Sequence, residues 1–329
     1  MSGVGGLDRT GSEPIRFGRL GFGCASLGGL YHTVTDAEAQ AALEAAWGGG
    51  IRYFDTAPHY GVGLSEERLG AFLRGRPRDE FIVSTKVGRV LEPNPHFHGE
   101  SDIAEGFMAP ATRVRRFDPT EAGVRRSLEE SLERMGLDRI DILFLHDPDV
   151  YDLDWGLREG LPALAKLRDE GLVREIGIGV NSVAVAARAV REGDLDLVML
   201  AGRYTLLEQT ATEDLFPLCA QRGVRIVNAA VYNSGLLATA HPGTAAKYNY
   251  SDVPADVLAT ARALAVVCTR FGVELPAAAI QYPLRNPLIA TVVVGTSNAA
   301  AVRENLARMA VTIPADLWRE LAAQGLIDS

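Results

Sequence analysis

Eight short apolar runs recur along this chain, at Leu20–Cys24, Ile51–Phe54, Phe81–Thr85, Ile140–Leu145, Glu175–Val180, Leu197–Leu200, Arg225–Ala230 and Thr291–Val294. They are rich in β-branched and other apolar residues and do not alternate cleanly with polar ones. That is the pattern of parallel strands covered on both faces. Between them lie helical stretches with readable ends. Thr35, with Glu38 three residues on, forms a capping box, and Gly48-Gly49-Gly50 closes that helix. Pro119-Thr120 opens another, ending near Met135-Gly136. Further stretches run over Gly156–Glu170, Val183–Glu192, Asp214–Arg222, Asp256–Phe271 and Pro276–Tyr282, several of them stopped by a following glycine. Strand–helix units repeated eight times predict an α/β fold, a (β/α)8 TIM barrel.

The length of 329 residues, with 47% hydrophobic and 23% charged, suits a globular protein of this class. No linker rich in Pro, Gly or Ser divides the chain, so residues 1–329 are expected to form one barrel domain. Met1–Pro14 is Gly-rich and polar, without the apolar core of a signal peptide, and reads as a partly flexible lead-in. No apolar run reaches the roughly 18 residues of a membrane-spanning helix. Cys24, Cys219 and Cys268 are far apart and form no Cys-x-x-Cys pair. A disulfide framework or zinc knuckle is therefore not expected, and a reducing cytoplasm is the expected compartment. The net charge of -9 argues against nucleic acid or an anionic membrane as partner. Oligomeric state is left open.

Arg89–Phe117 breaks the rhythm, with Pro93, Pro95 and Pro110 among polar residues. It predicts a long irregular loop on the substrate side of the mouth. His96, His98, Glu100 and Asp102 in this loop offer metal-ligand types, but no further histidine is nearby and no metal is expected. Arg113-Val114-Arg115-Arg116 reads as a solvated loop face. Gly21-x-Gly23-x-x-Ser26 lacks the third glycine of a dinucleotide loop and reads as the first barrel strand and its turn.

The chemistry collects at the strand ends. The second run finishes in Asp55, with Tyr60 five residues later; the third finishes in Lys86 and the fourth in His146. A charged residue finishing an apolar strand is hard to explain by packing, and in a barrel these ends converge on one mouth. A phenol titrates near pH 10, too high for proton transfer at neutral pH. A neighbouring ammonium lowers that value, a carboxylate holds the ammonium, and a histidine orients a substrate oxygen. As a structural ion pair, Asp55 and Lys86 would gain little over apolar packing.

Phe54-Asp55-Thr56-Ala57-x-x-Tyr60-Gly61, Lys86, the Leu145-His146 step, Ala279–Leu284 and Gly295-Thr296-Ser297 with Glu304-Asn305 resemble the aldo-keto reductase family over roughly residues 18–310. The resemblance implies an oxidoreductase with a nicotinamide cofactor at the barrel mouth. It implies Tyr60 as acid/base, Asp55 and Lys86 as its tuning pair, and His146 as the substrate-orienting group. It further implies Asn181 and Ser182 on the carboxamide, Tyr232 stacked on the nicotinamide, and Ser234, Gly235, Leu237, Gly295, Thr296, Ser297, Arg303 and Asn305 around the rest of the cofactor.

Two departures carry information. NADP-preferring members place cations where this chain has Gly295 and Ala301, leaving Arg303 as the cation near in sequence. A 2′-phosphate wants cationic partners, so NAD is expected over NADP. The usual glutamine after the sixth strand is replaced within Ala201-Gly202-Arg203-Tyr204. His146-Asp147-Pro148-Asp149 and Ala201–Leu207 resemble the branch that oxidises aldoses at C1, which includes D-threo-aldose (L-fucose) dehydrogenases and pyridoxal 4-dehydrogenases. That likeness implies hydride removal from a cyclic hemiacetal carbon of a sugar to give a lactone. A pyridoxal dehydrogenase forming 4-pyridoxolactone, an NADPH-dependent aldehyde or ketone reductase, and a non-catalytic nicotinamide-binding redox sensor are the alternative readings.

Overall fold

The computed structural model describes residues 13–244, 247–249 and 251–328. Residues 1–12 of the expected lead-in lie outside the described residues. Eight parallel strands form a closed barrel: Leu20–Gly23 (β1), Tyr53–Asp55 (β2), Ile82–Val87 (β3), Ile142–His146 (β4), Glu175–Val180 (β5), Leu197–Ala201 (β6), Arg225–Ala229 (β7) and Ile289–Val294 (β8). Each pairs with its sequence neighbours, and β1 closes the ring against β8, with Leu20 opposite Val292. The closed eight-stranded barrel meets the expectation for the fold.

Each crossover carries a helix that covers the barrel. Asp36–Gly48 (α1) begins with the predicted capping box at Thr35 and Glu38. Leu64–Leu73 (α2) starts from Gly63 without a side-chain cap. Glu121–Met135 (α3), Leu153–Asp169 (α4), Val183–Glu192 (α5), Leu215–Arg222 (α6), Ala255–Arg270 (α7), Leu275–Gln281 (α8), Ala299–Ala310 (α9) and Ala315–Ala323 (α10) follow. Sequence reasoning did not single out α2, α9 or α10. No single helix among the described residues is long and apolar enough to cross a membrane.

Two apolar layers hold this shape. The larger lies between strands and helices. The smaller fills the barrel interior with Tyr53, Ile142, Phe144, Leu197, Met199, Val227 and Val293. Large rings fit inside because neighbouring strands give way: a Cβ on Gly177 would stand 2.8 Å from the Phe144 ring, and one on Gly21 would stand 2.6 Å from Tyr53. The floor is sealed by Ile15, whose N–H donates to Glu175 Oε1 at 2.7 Å while Arg225 pairs with the same carboxylate at 2.6 Å.

The segment after β3 corrects two expectations. Arg89–Phe117 contains a two-stranded antiparallel ribbon, Arg89–Pro93 against Arg113–Phe117, with Arg89 opposite Phe117. Cross-strand bonds satisfy the backbone that a free loop would leave to water. The Arg113–Arg116 run is a strand, not a uniformly solvated face. The Arg115 side chain, 8% exposed, holds Asp102, with Nη1 donating to Oδ1 at 2.9 Å. Among the described residues no group of three or more histidine, cysteine or acidic side chains could hold a metal ion.

Candidate active site

Strand pairing sets the heights of the key side chains. Asp55 ends β2 and lies opposite Ser84; Lys86 lies two residues further along β3; His146 ends β4, opposite Gly179. Lys86 Nζ donates to Asp55 Oδ2 at 2.6 Å and to the Thr56 carbonyl at 2.9 Å. Ser84 Oγ donates to Asp55 Oδ1 at 2.7 Å, and the Tyr53 hydroxyl lies 2.9 Å from Ser84 Oγ. Both carboxylate oxygens are thus engaged, as a buried charge requires. The ammonium is 2% exposed and the carboxylate 4%.

Tyr60 is delivered by a turn packed on the loop after β1. Its N–H donates to the Ala57 carbonyl at 3.1 Å. Gly61 follows with a φ of 61°, and a Cβ on Gly28 would stand 2.7 Å from the Tyr60 carbonyl. Glycine at both positions permits this close backbone contact. Lys86 Nζ lies 4.7 Å from the centre of the Tyr60 ring, and the His146 ring stands edge-on to it at 5.9 Å. The four predicted residues Asp55, Tyr60, Lys86 and His146 are therefore brought together.

Their electrostatics follow from burial and neighbours. Burial pushes the Tyr60 phenol up to about 12, while Lys86 opposes the rise. Burial also works against the Lys86 charge, but Asp55 and Tyr60 outweigh it and hold the ammonium above its ordinary value. His146 is driven well below its ordinary value, by burial first and then by Arg89 and Lys86. The site therefore holds a protonated lysine, a neutral imidazole, and a phenol whose proton depends on the lysine. Such a set moves one proton to or from a bound oxygen.

Sequence reasoning missed much of the wall. His59 stands 5.6 Å from the His146 ring and 5.4 Å from Phe107. Burial, with Arg89 and Arg115, pulls His59 down to about 2. Phe107, from the ribbon connection, lies 6.2 Å from the Tyr60 ring. Arg89 reaches Asp147 at 3.2 Å, and Asp147 Oδ2 lies 3.3 Å from His146 Nε2. A histidine beside a tyrosine carries no spacing signal, and Asp147 stood out only as part of the His146-Asp147-Pro148-Asp149 stretch.

A sequence profile of the Aldo/keto reductase family matches residues 19–324. The chain belongs to the aldo/keto reductase family. It is an oxidoreductase, and its family works with a nicotinamide cofactor. It is 52% identical to a D-threo-aldose 1-dehydrogenase from a Pseudomonas species, over 94% of each chain. It is 38% identical to a pyridoxal 4-dehydrogenase from Microbacterium luteolum, over 98% of this chain and 97% of that one. Among solved structures it resembles an aldo-keto reductase from Bacillus halodurans in its holo form, with a TM-score of 0.73, 26% identity, and coverage of 94% of this chain and 92% of that one.

The residues expected around that cofactor follow the remaining strand ends. Asn181 is exposed, and its side-chain amide makes no hydrogen bond among the described residues. Ser182 Oγ caps α5 by accepting the Val185 N–H at 3.4 Å. Ser234 and Gly235 are exposed after β7. After β8, Thr296 Oγ1 accepts the Asn298 N–H at 3.1 Å and Ser297 Oγ meets His32 Nε2 at 2.9 Å. Arg303 is exposed, donates to the Ala299 carbonyl, and has no carboxylate within ion-pair distance among the described residues. The exposed Asn181 amide and Arg303 guanidinium suit a carboxamide and an anionic pyrophosphate.

Other expected cofactor residues are engaged within the protein. The Tyr232 hydroxyl donates to Asn305 Oδ1 at 2.8 Å, and its ring packs on the core. Leu237 is fully buried in that core. Gly295 answers first to packing, since a Cβ there would stand 2.1 Å from the Gly23 carbonyl.

Proposed function

We propose that this enzyme removes hydride from the hemiacetal C1 of an aldose of the L-fucose or D-threo type, using NAD, and releases a lactone. The observation that carries this reading is the Asp55–Lys86–Tyr60–His146 arrangement in a chain 52% identical to a D-threo-aldose 1-dehydrogenase. When bound, the nicotinamide ring supplies the hydride acceptor. His146, neutral through burial, hydrogen-bonds the C1 hydroxyl oxygen and orients it. Tyr60 as phenolate takes the hydroxyl proton. Lys86 stabilises that phenolate, and Asp55 keeps the ammonium in place. Phe107 and the ribbon cover one side of the site and limit water there.

The cofactor preference rests on charge. No lysine or arginine occupies 295 or 301, and Arg303 alone does not supply the clustered cations a 2′-phosphate wants. On this reading the chain works as one barrel domain in the cytoplasm, where the free thiols of Cys24, Cys219 and Cys268 suit a reducing compartment. Pyridoxal 4-dehydrogenase is the second reading. It is favoured by the 38% identity and by the Phe107 ring beside Tyr60, an aromatic wall suited to a flat ring. Initial rates with L-fucose, D-arabinose, L-galactose and pyridoxal, each with NAD and NADP, decide the matter. The expected result is fastest turnover with an aldose and NAD. Preference for pyridoxal selects the second reading, and equal or better efficiency with NADP removes the cofactor proposal.

A further inference from the structure

Asp147 follows the strand that delivers His146, and its backbone is unusual. A φ of 40° with a ψ of 60° puts a non-glycine residue in the left-handed region. It does so one residue before Pro148, where sterics favour extended conformations. Such strain persists only where the surroundings over-determine it. Here the Asp147 N–H donates to the Gly179 carbonyl at 3.0 Å, and the Val150 N–H donates to the Asp147 carbonyl at 3.1 Å.

The carboxylate stands beside His146, with Oδ2 at 3.3 Å from Nε2. The same oxygen takes Arg89 Nη2 at 3.2 Å. Oδ1 makes no hydrogen bond among the described residues. The two partners are unequally covered: the Arg89 side chain, at the start of the ribbon, is 6% exposed, while the Asp147 side chain is 26% exposed. A counter-ion serving Arg89 alone would need neither the strained backbone nor the place beside the substrate-orienting histidine. Burial also pushes the acid up to about 6, with Arg89 and Lys86 opposing and Asp149 adding to the rise. The position is thus costly in backbone and in charge.

We propose that Asp147 determines specificity by accepting a hydrogen bond from the hydroxyl next to the reacting carbon of a polyhydroxy substrate. This rests on the aldose reading above. The oxygen held by His146 and Tyr60 is the one on the reacting carbon. In a sugar the adjacent carbon carries another, and vicinal oxygens are separated by about one hydrogen-bond length. That spacing matches the separation of His146 Nε2 from Asp147 Oδ2. Arg89 fixes the carboxylate and is the positioning partner.

The test compares kcat/KM for an aldose and for its 2-deoxy analogue, well above pH 6, in the wild type, Asp147→Asn and Asp147→Gly. Both replacements tolerate the left-handed backbone. The wild type is expected to prefer the hydroxylated sugar by about 10- to 100-fold, the range of a hydrogen bond to a charged group. Asp147→Gly should remove that preference by slowing the hydroxylated sugar, with Asp147→Asn between the two. A wild type indifferent to the 2-hydroxyl overturns the proposal whatever the variants do. Equal losses on both substrates also overturn it, because Asp147 would then act through His146 or the fold. A wild type that oxidises no aldose at all defeats the underlying reading, a separate result seen before any variant is made.

Discussion

Replacing Lys86 with methionine removes the ammonium in contact with Tyr60 while keeping most of the length of the side chain. The magnitude follows from the 4.7 Å between Nζ and the Tyr60 ring. At an effective dielectric constant of 20, two unit charges at that separation interact by about 3.5 kcal/mol. One pKa unit is about 1.36 kcal/mol, so the phenol should rise by roughly 2.6 units in Lys86→Met. Burial already holds Tyr60 at about 12, so the phenolate fraction below that pH falls in proportion. Oxidation at a fixed pH should drop by about 400-fold. A second cost falls on the fold. Asp55 would lose its partner at 4% exposure, and breaking a buried pair costs about 3–5 kcal/mol. The assay is the pH profile of kcat for oxidation, run beside urea denaturation of both proteins. Wild-type log kcat should climb with pH toward unit slope. In Lys86→Met the rising limb should run parallel but displaced by about 2–3 units to higher pH, and the denaturation midpoint should fall. A rising limb at the same pH in both proteins refutes the reasoning, because Lys86 would then not set the proton affinity of Tyr60.

Further outcomes can be checked directly. Gly28→Ala should cut kcat by an order of magnitude or more while leaving the fold intact, because its Cβ meets the Tyr60 carbonyl at 2.7 Å and displaces the turn that carries the phenol; steady-state kinetics with circular dichroism tests this. Gly70→Ala should instead cost about 2–4 kcal/mol with little direct effect on chemistry, since its Cβ would stand 2.2 Å from the Met135 carbonyl; thermal denaturation reads it. His59 titrates near 6.5 when unfolded but only near 2 when folded, so the unfolded chain binds the extra proton and stability falls with pH below 6.5. Between pH 7 and 5.5 that residue should remove about 1.2 kcal/mol, and His59→Phe should lose less stability than the wild type by that amount in urea titrations.

The strands were legible because each is a short apolar run with both faces covered, and Glu175–Val180 has the same bounds in sequence and structure. Asp55, Lys86 and His146 were legible because a charged or polar side chain ending such a run has no packing reason to be there. The ribbon was hidden by its prolines: Pro93 ends one strand, and the connection before Arg113 is long enough to erase any hairpin spacing. Arg115 reads as one more charge in a basic run, and only the partner strand reveals that it is buried on Asp102. The helix at Leu64–Leu73 escaped because Gly63 offers no capping side chain. Tyr232 and Leu237 follow β7, and their packing on the core and the bond from Tyr232 to Asn305 come from residues distant in sequence. Such contacts leave no local trace in sequence.

The most direct measurement is NADH formation from L-fucose with parallel trapping of the product, in the wild type and in Tyr60→Phe. The account predicts one lactone for each NADH in the wild type. It predicts turnover lowered by about 100-fold or more in Tyr60→Phe, at an unchanged NAD dissociation constant. Turnover that survives the loss of the phenol, or NADH formed without lactone, would contradict it.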